Sequence, residues 1–255
     1  MYKQFDQQQD VNSPNNPDSD LTRRRLKRLR ENPNNSFHYD QLYKGLPVQV
    51  SRGPLVAEWL EKIRLTMLEQ VDTHSKVFAL RIDLRFPGFY TLPEGQIFGN
   101  DYYDRFKRRL KSLLDDMPNA RNYGLKIIAA REYDEEENKP HFHVLVLLNG
   151  NAIRSTGKWD LSCDNLYSRL YDAWAFALGL NANEVIGLIQ FSNGAKYCSG
   201  KRNQATGGAF LMERGDSNMF EDVFFACSYL AKYATKNFND GCHPFLYSRL
   251  KLTDL

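Results

Sequence analysis

Two histidines, His141 and His143, are separated by a single residue in this sequence. They open the apolar run at 144–148, which is typical of a buried strand. Successive side chains of a strand point to opposite faces, so both imidazoles should share one face and Phe142 should point to the other. Two neutral imidazoles side by side can bind one divalent cation. The alternative is a pair of strand histidines with unrelated partners.

A carboxylate on the preceding strand is a candidate for a third metal ligand. Residues 123–133 have the pattern of another strand, and the DEEENKP that follows has the composition of a hairpin loop. In a roughly symmetric hairpin, Glu132 lies nearly opposite His141 and on the same face. Two histidines and one carboxylate leave coordination positions open for substrate oxygens. The alternative is that Glu132 is a surface residue of an acidic hairpin.

A second group of candidate residues lies in the segment YLAKYATK at 229–236. Tyr229 and Tyr233 are four residues apart, and on the predicted helix they would share one face. Lys232 and Lys236 each follow a tyrosine by three residues. A phenol has a pKa of about 10, so it attacks well only when a nearby cation favours the phenolate or a metal polarises the group under attack. The alternative is an amphipathic helix with two half-buried aromatic rings.

The rest of the chain supplies the elements that must position these residues. Apolar residues at helical spacing predict helices over 54–71, 101–114, 161–178 and 221–237. Alternating apolar residues predict strands over 77–86, 123–133, 141–148 and 185–191. After the first helix, the order β-α-β-β-α-β is typical of an α+β, ferredoxin-like (split βαβ) fold, with a central antiparallel sheet and flanking helices. The polar, glycine-rich stretch at 192–208 is predicted to be a long loop.

Composition predicts one domain preceded by a polar segment. The 255 residues are 42% hydrophobic, but residues 1–45 are rich in Asn, Gln, Pro and Ser and poor in aliphatic side chains. Such a segment buries too little apolar surface to offset its ordering entropy, so 1–45 is predicted to be a disordered tail with a basic patch and 46–255 the functional domain. No apolar run approaches the roughly 18 residues of a membrane span, and no secretory signal is visible.

Charge and cysteine usage restrict the class of protein further. The net charge is only +3, yet basic residues cluster at 21–30 and 104–111. A locally basic face can follow a phosphate backbone at low net charge, although such a run is also typical of ordinary solvated surface. The four cysteines are widely spaced and include no CxxC pair, which argues against a zinc knuckle and against a disulfide scaffold.

The HxH strand followed by the YxxKY segment resembles the HUH family of single-stranded DNA endonucleases. The resemblance is closer still to the inovirus-type replication initiators, the YagK/YfjJ C-terminal-domain group of phage and prophage proteins. It covers roughly residues 50–250 and is carried by RIDLRFP, GLKIIAARE, KPHFHVLVLLNG, GLIQF and YLAKYATK. Histidine-triad hydrolases, cupins and two-histidine phosphoesterases do not fit, because residues 144–147 lack the side chains that those families require after HxH.

The resemblance implies a role for each candidate residue. The ligands of a Mg²⁺ or Mn²⁺ ion would be His141, His143 and Glu132. The catalytic residues would be Tyr229, Tyr233 and Lys232. Tyr229 is the first choice of nucleophile because it begins the YxxKY pattern. Nucleic-acid contacts would come from Arg81, Asp83, Arg85, Arg108 and Lys236, with metal support as the alternative role of Asp83.

The activity that the resemblance implies is metal-dependent, site-specific nicking and joining of single-stranded DNA through a 5′-phosphotyrosyl intermediate. This reaction would initiate rolling-circle replication of a phage, prophage or small plasmid in the cytoplasm of a bacterial host. The implied partners are single-stranded DNA at a replication origin and the host helicase and polymerase, with no membrane. Two alternatives stay open, namely a catalytically inactive single-stranded-DNA-binding regulator on the same fold and an HUH transposase or relaxase.

Overall fold

The structure is a computed structural model, and it describes residues 27–92, 96–118, 122–134, 139–192 and 209–251. The first half of the predicted tail, 1–26, and nearly all of the predicted loop at 192–208 lie outside these residues. Among the described helices, none has both the length and the apolar character needed to cross a membrane.

The N-terminal part of the described chain forms four short strands: β1 (Phe37–His38), β2 (Leu42–Tyr43), β3 (Leu46–Pro47) and β4 (Leu55–Val56). β1 pairs with β4 and β2 pairs with β3, both antiparallel. Leu29 is 1% exposed and Val48 is 4% exposed, and both belong to a hydrophobic cluster of the domain. In the described part of the predicted 1–45 tail, residues 27–45, the chain forms β1 and β2 and buries Leu29, whereas Leu42 is exposed.

Six strands form the central antiparallel sheet: β5 (Lys76–Arg85), β6 (Lys126–Asp134), β7 (Lys139–Asn149), β8 (Ile189–Phe191), β9 (Ala209–Glu213) and β10 (Phe245–Tyr247). Their order is β10-β6-β7-β5-β8, and β9 pairs with β5 along the same edge as β8. Since β7 is antiparallel to both β5 and β6, those two strands are parallel with β7 between them. This is the split βαβ arrangement, so the predicted α+β fold is confirmed.

Four helices cover the sheet: α1 (Ala57–Thr73), α2 (Asp101–Asp115), α3 (Leu166–Leu178) and α4 (Ser217–Ser228). Side chains alternate along β5, so Phe78 and Leu80 pack with α2 and α3, whereas Val77 and Ala79 pack with α1 and α4. We call the two sides of the sheet the α2–α3 face and the α1–α4 face. The candidate residues on the strands lie on the α1–α4 face.

Several elements differ from the prediction. β9 and β10, of five and three residues, were not predicted. The strand predicted over 185–191 is instead a 3-10 turn (Ala182–Val185) followed by the short β8. The last helix was predicted over 221–237, but α4 ends at Ser228.

Candidate metal centre

Strand register brings four candidate residues together on the α1–α4 face. Glu132 on β6 is the Cα partner of His141 on β7, which confirms the predicted hairpin register. Asp83 on β5 is the Cα partner of His143. Since β7 lies between β5 and β6, its two histidines are flanked by one carboxylate on each side.

The ligand atoms of Glu132, His141 and His143 converge on one point. The two Nε2 atoms are 3.1 Å apart, and Glu132 Oε2 lies 3.2 Å from Nε2 of His143 and 3.9 Å from Nε2 of His141. Ligands at right angles around an ion, each about 2.1 Å from it, lie about 3 Å apart, so this spacing suits a single divalent ion. The three residues form the group that could hold a metal ion.

His141 is suited to be a neutral ligand. Its side chain is 14% exposed, and its Nδ1 atom is buried without a hydrogen-bond partner among the described residues. Burial and then the electrostatic effect of the neighbouring His143 lower the pKa of His141 to about 4. The His141 imidazole is therefore uncharged at neutral pH, which is the form that binds a metal.

Asp83 holds the His143 imidazole in one orientation. Asp83 Oδ1 lies 2.6 Å from Nδ1 of His143, so the ring donates from Nδ1. The lone pair of Nε2 then points towards Glu132 and His141. The hydroxyl of Ser192 donates to the same carboxylate oxygen at 3.4 Å. Burial would raise the pKa of Asp83, but the hydrogen bond with His143 outweighs it and holds this pKa below its ordinary value. Of the two predicted roles of Asp83, the geometry favours support of the metal ligand.

Lys236 was predicted to contact nucleic acid, but it is buried behind the metal centre. Its Nζ lies 2.5 Å from Glu132 Oε1 and its side chain is 0% exposed, so it cannot reach a phosphate at the surface. Burial lowers the pKa of Lys236 to about 8. Burial would also raise the pKa of Glu132, yet the hydrogen bond with His143 and the charge of Lys236 hold it below its ordinary value. Glu132 therefore keeps its charge, and Oε2 faces the histidines.

The end of α4 places Tyr229 beside these ligands. The last carbonyls of the helix, which have no donor within it, accept from side chains of other elements. Gln49 Nε2 donates to the carbonyls of Phe225 and Ala226, at 2.8 and 3.3 Å, and Arg81 Nη1 donates to that of Ala226 at 3.0 Å. The chain then makes a 3-10 turn (Tyr229–Ala231). No local pattern in the sequence predicts the role of Gln49, which lies far away along the chain.

The Tyr229 side chain touches the metal centre. Its hydroxyl donates to Glu132 Oε2 at 3.4 Å, and its ring stands perpendicular to that of His143 at a centroid distance of 5.1 Å. Burial and then the negative charge of Glu132 raise the pKa of Tyr229, while Arg52 and Arg81 act to lower it. Three cations lie over this ring, at 5.0–5.9 Å from its centroid: Arg52, Arg81 and Lys232. Arg52 had not been singled out from the sequence.

Tyr233 does not reach the metal centre. After the 3-10 turn the chain is extended at Lys232, so the two tyrosines do not share a helix face as predicted. The Tyr233 amide donates to the carbonyl of Pro54 at 3.2 Å, and its hydroxyl donates to Glu31 Oε1 at 3.0 Å. Its ring packs edge-on against Phe37 at 4.9 Å.

The three predicted arginines lie in different places. Arg81 contacts the end of α4 and the ring of Tyr229, and Arg85 is the Cα partner of His141 on β5. Arg108 lies on α2 and donates to the carbonyl of Asp104 at 3.4 Å. Because α2 covers the α2–α3 face, Arg108 lies on the opposite side of the sheet from the histidines. The nucleic-acid contact of Arg108 stays a prediction.

Comparison with known proteins gives the family of the chain. The YagK/YfjJ C-terminal domain matches residues 38–248, a span that contains every residue of the metal centre. The chain is similar to two proteins of Escherichia coli (strain K12). It is 24% identical to "Uncharacterized protein YfjJ" over 77% of this chain and 96% of the relative, and 26% identical to "Uncharacterized protein YagK" over 80% and 98%. No solved structure matches the chain. The chain therefore belongs to the YagK/YfjJ C-terminal domain family.

Proposed function

We propose that this protein nicks and rejoins single-stranded DNA, with Tyr229 as the nucleophile. The observation that carries the proposal is the position of the Tyr229 hydroxyl, 3.4 Å from Glu132 Oε2 in a cluster whose other members are His141 and His143. A nucleophilic hydroxyl beside a set of metal ligands is the arrangement that phosphoryl transfer to an enzyme side chain requires.

The residues of the cluster would hold one Mg²⁺ or Mn²⁺ ion. Two imidazole nitrogens and one carboxylate oxygen occupy only part of a six-coordinate shell, which leaves positions for phosphate oxygens. When bound, the ion would supply Lewis-acid polarisation of the scissile phosphate. Asp83 fixes the ring of His143 and Lys236 fixes the carboxylate of Glu132, so the ligands are oriented before an ion arrives.

The chemical step exchanges one phosphate ester bond for another. The Tyr229 oxygen attacks the phosphorus, a bond forms between them, and the bond from phosphorus to the 3′ oxygen breaks. The phenol proton is lost and the leaving 3′ oxygen gains one, so the products are a 5′-phosphotyrosyl link and a free 3′-hydroxyl. Arg52 and Arg81 act by their positive charges to lower the pKa of Tyr229, against burial and Glu132, which raise it. The reverse attack rejoins the strand without ATP, because the covalent link conserves the energy of the phosphodiester.

Rolling-circle initiation is the role that this chemistry suits, since a polymerase can extend the free 3′-hydroxyl. The scheme proposed here uses one tyrosine per protein, because Tyr233 points to Glu31 instead of the ligands. The DNA partner would be single-stranded DNA at the replication origin, followed by the host helicase and polymerase.

A cleavage assay tests the proposal. Labelled single-stranded DNA carrying the origin of the element that encodes the protein is incubated with Mn²⁺ or with EDTA, and the products are separated on a denaturing gel. We expect an SDS-resistant protein–DNA adduct that needs Mn²⁺ and disappears in Tyr229→Phe. The matched control is Tyr233→Phe, which should still form the adduct.

Other outcomes would point to other functions. An adduct that persists in Tyr229→Phe contradicts the choice of nucleophile. DNA binding without an adduct in any metal indicates a catalytically inactive single-stranded-DNA-binding regulator. Cleavage of transposon ends or of plasmid transfer origins in preference to replication origins indicates an HUH transposase or relaxase.

A further inference from the structure

A group of three aromatic rings lies at the β8 edge of the sheet and has no part in the chemistry above. Trp159 stacks on Phe191 with a centroid distance of 4.9 Å and an interplanar angle of 26°. Tyr167 is nearly parallel to both, at 5.8 Å and 11° from Trp159 and 5.7 Å and 17° from Phe191. We call these three residues the Trp159 platform. Its outermost member is large and accessible, since Trp159 is 56% exposed.

The exposed ring of Trp159 is held firmly in place. Its indole Nε1 donates to Thr156 Oγ1 at 3.1 Å. The loop that carries it is tied to the start of α3, because Asn165 Nδ2 donates to the carbonyl of Lys158 at 2.9 Å and the Tyr167 amide donates to that of Thr156 at 2.8 Å. The other two tryptophans, Trp59 and Trp174, are 8% and 0% exposed. A rigid, exposed indole gains contact area on binding with little loss of conformational entropy.

The platform adjoins the metal centre through one strand. Phe191 belongs to β8, and its neighbour Gln190 is the Cα partner of Asp83. Its other neighbour, Ser192, donates to the Asp83 carboxylate that orients His143. Phe191 itself packs on the α2–α3 face. A ligand that extends from the histidines to the platform therefore crosses the edge of the sheet at β8.

The loop before α3 places one basic side chain next to the rings. Lys158 precedes Trp159 in the chain, its side chain is 75% exposed, and its Nζ pairs with Asp160 at 3.0 Å. Exposed aromatic rings interleaved with basic side chains are the arrangement that binds single strands, since bases stack on the rings and phosphates pair with the cations. A duplex has no unstacked base to offer to such a ring.

We infer that the Trp159 platform stacks a base of the single-stranded DNA whose phosphate lies at the metal centre, with the strand passing over the β8 edge. The identity of the ligand rests on the proposed function, but the stacking does not require cleavage. The platform should tolerate any base, because every base has a π face. It should favour single strands over duplexes of the same sequence.

Tryptophan fluorescence with a (dT)20 oligonucleotide in EDTA tests the inference without any cleavage. Binding is followed in parallel by the anisotropy of a dye on the oligonucleotide. In the wild-type protein we expect binding to quench the emission of Trp159, the exposed tryptophan. In Trp159→Phe the oligonucleotide should still bind but the quenching should vanish. In Trp159→Ala binding should weaken roughly 5- to 100-fold, the range found when one stacking ring is removed.

The matched control is Phe176→Ala. Phe176 is 55% exposed on α3, but its ring is covered by Arg109 at 5.5 Å. This variant should bind (dT)20 as the wild type does. Circular dichroism verifies that each variant is folded.

The outcomes separate the inference from the proposed function. Quenching and weakened binding of Trp159→Ala, without any adduct in Mn²⁺, uphold the platform and reject nicking. An adduct in Mn²⁺ together with undiminished binding by Trp159→Ala rejects the platform alone. Saturated binding without quenching in the wild type also rejects the platform. If the wild type binds no single-stranded DNA, both are rejected.

Discussion

At the scale of single residues, the candidate centre depends on how each ligand is held. The His143 imidazole can bind a metal through Nε2 because Asp83 accepts the Nδ1 proton at 2.6 Å. The Glu132 carboxylate is also held by a hydrogen bond, which Lys236 donates to Oε1. These contacts join groups with low exposure, where hydrogen bonds to charged side chains are stronger than in water.

The first prediction concerns Asp83. Asp83→Asn keeps the size of the side chain but removes the charge that fixes the tautomer of His143, so Mn²⁺ should bind about 10- to 100-fold more weakly. Isothermal titration calorimetry measures the affinity. The control is Asp172→Asn, which removes a surface partner of Arg109 on the opposite face of the sheet. Equal Mn²⁺ affinity in the wild type and Asp83→Asn would contradict the supporting role of Asp83.

The positions of several of these residues could be predicted from the sequence, because the alternation of side chains along a strand depends only on neighbouring residues. The alternation of β7 gave the shared face of His141 and His143, and hairpin symmetry gave the position of Glu132. Lys236 could not be placed, because its burial depends on where the chain runs after α4. No local pattern states that the carbonyls of Phe225 and Ala226 accept from Gln49 and Arg81 instead of continuing the helix.

At the scale of elements, turns fix the position of the aromatic platform. Gly157 has φ +83°, a conformation that favours glycine, and a Cβ there would lie 2.7 Å from Asn165. Asn165 caps α3, since its side chain accepts from the amide of Ser168. The close approach of Gly157 and Asn165 brings the loop that carries Trp159 against the start of α3.

The second prediction compares two glycines with similar backbone angles. Gly179, after α3, has φ +71°, and a Cβ there would meet nothing within 4 Å. Gly179→Ala should therefore cost only the left-handed backbone energy, about 1–2 kcal/mol. Gly157→Ala should cost more, because its Cβ also displaces the Asn165 side chain. Urea denaturation gives the free energies of unfolding. Equal losses of the free energy of unfolding in the two variants would show that the Asn165 side chain moves aside without a cost in stability.

Two of the long elements were predicted closely, whereas the short strands β9 and β10 were missed. The pattern at 77–86 gave β5, and the pattern at 101–114 gave α2, to within one residue at each end. β10 is only three residues long and is held by pairing with β6 more than a hundred residues earlier. Three residues are too few to display a period, so its existence depends on a partner that a local pattern does not reveal.

At the scale of the whole molecule, the segment before α1 is part of the domain. Composition averaged over 1–45 predicted a tail, but an average hides single apolar residues such as Leu29 and Phe37. Leu29 joins the hydrophobic cluster between the sheet, α1 and α4. The segment before α1 also contacts the segment YLAKYATK at 229–236, which contains both tyrosines, since Leu55 forms a β-bridge with Lys232. The position of Tyr229 is therefore coupled to the N-terminal strands.

The third prediction tests whether this segment stabilises the domain, with two leucines. Leu29 is 1% exposed and Leu42 is 53% exposed. Leu29→Ala should lower the free energy of unfolding by about 2–5 kcal/mol, because it leaves a cavity in the cluster, whereas Leu42→Ala should change it by less than about 0.5 kcal/mol. Thermal or urea unfolding measures both. Similar values for the two variants would mean that Leu29 contributes nothing to the fold.

The metal centre is also assembled from distant parts of the chain. Its residues run from Asp83 on β5 to Lys236 beyond α4, and the tyrosine segment reaches it only after the sheet is complete apart from β10. During synthesis on the ribosome, the strands and histidines emerge long before Tyr229 does. A nascent chain can thus fold much of its sheet before Tyr229 has been added. If Tyr229 is the nucleophile, as proposed above, the growing polypeptide could form no link to DNA until nearly all of the domain has been made.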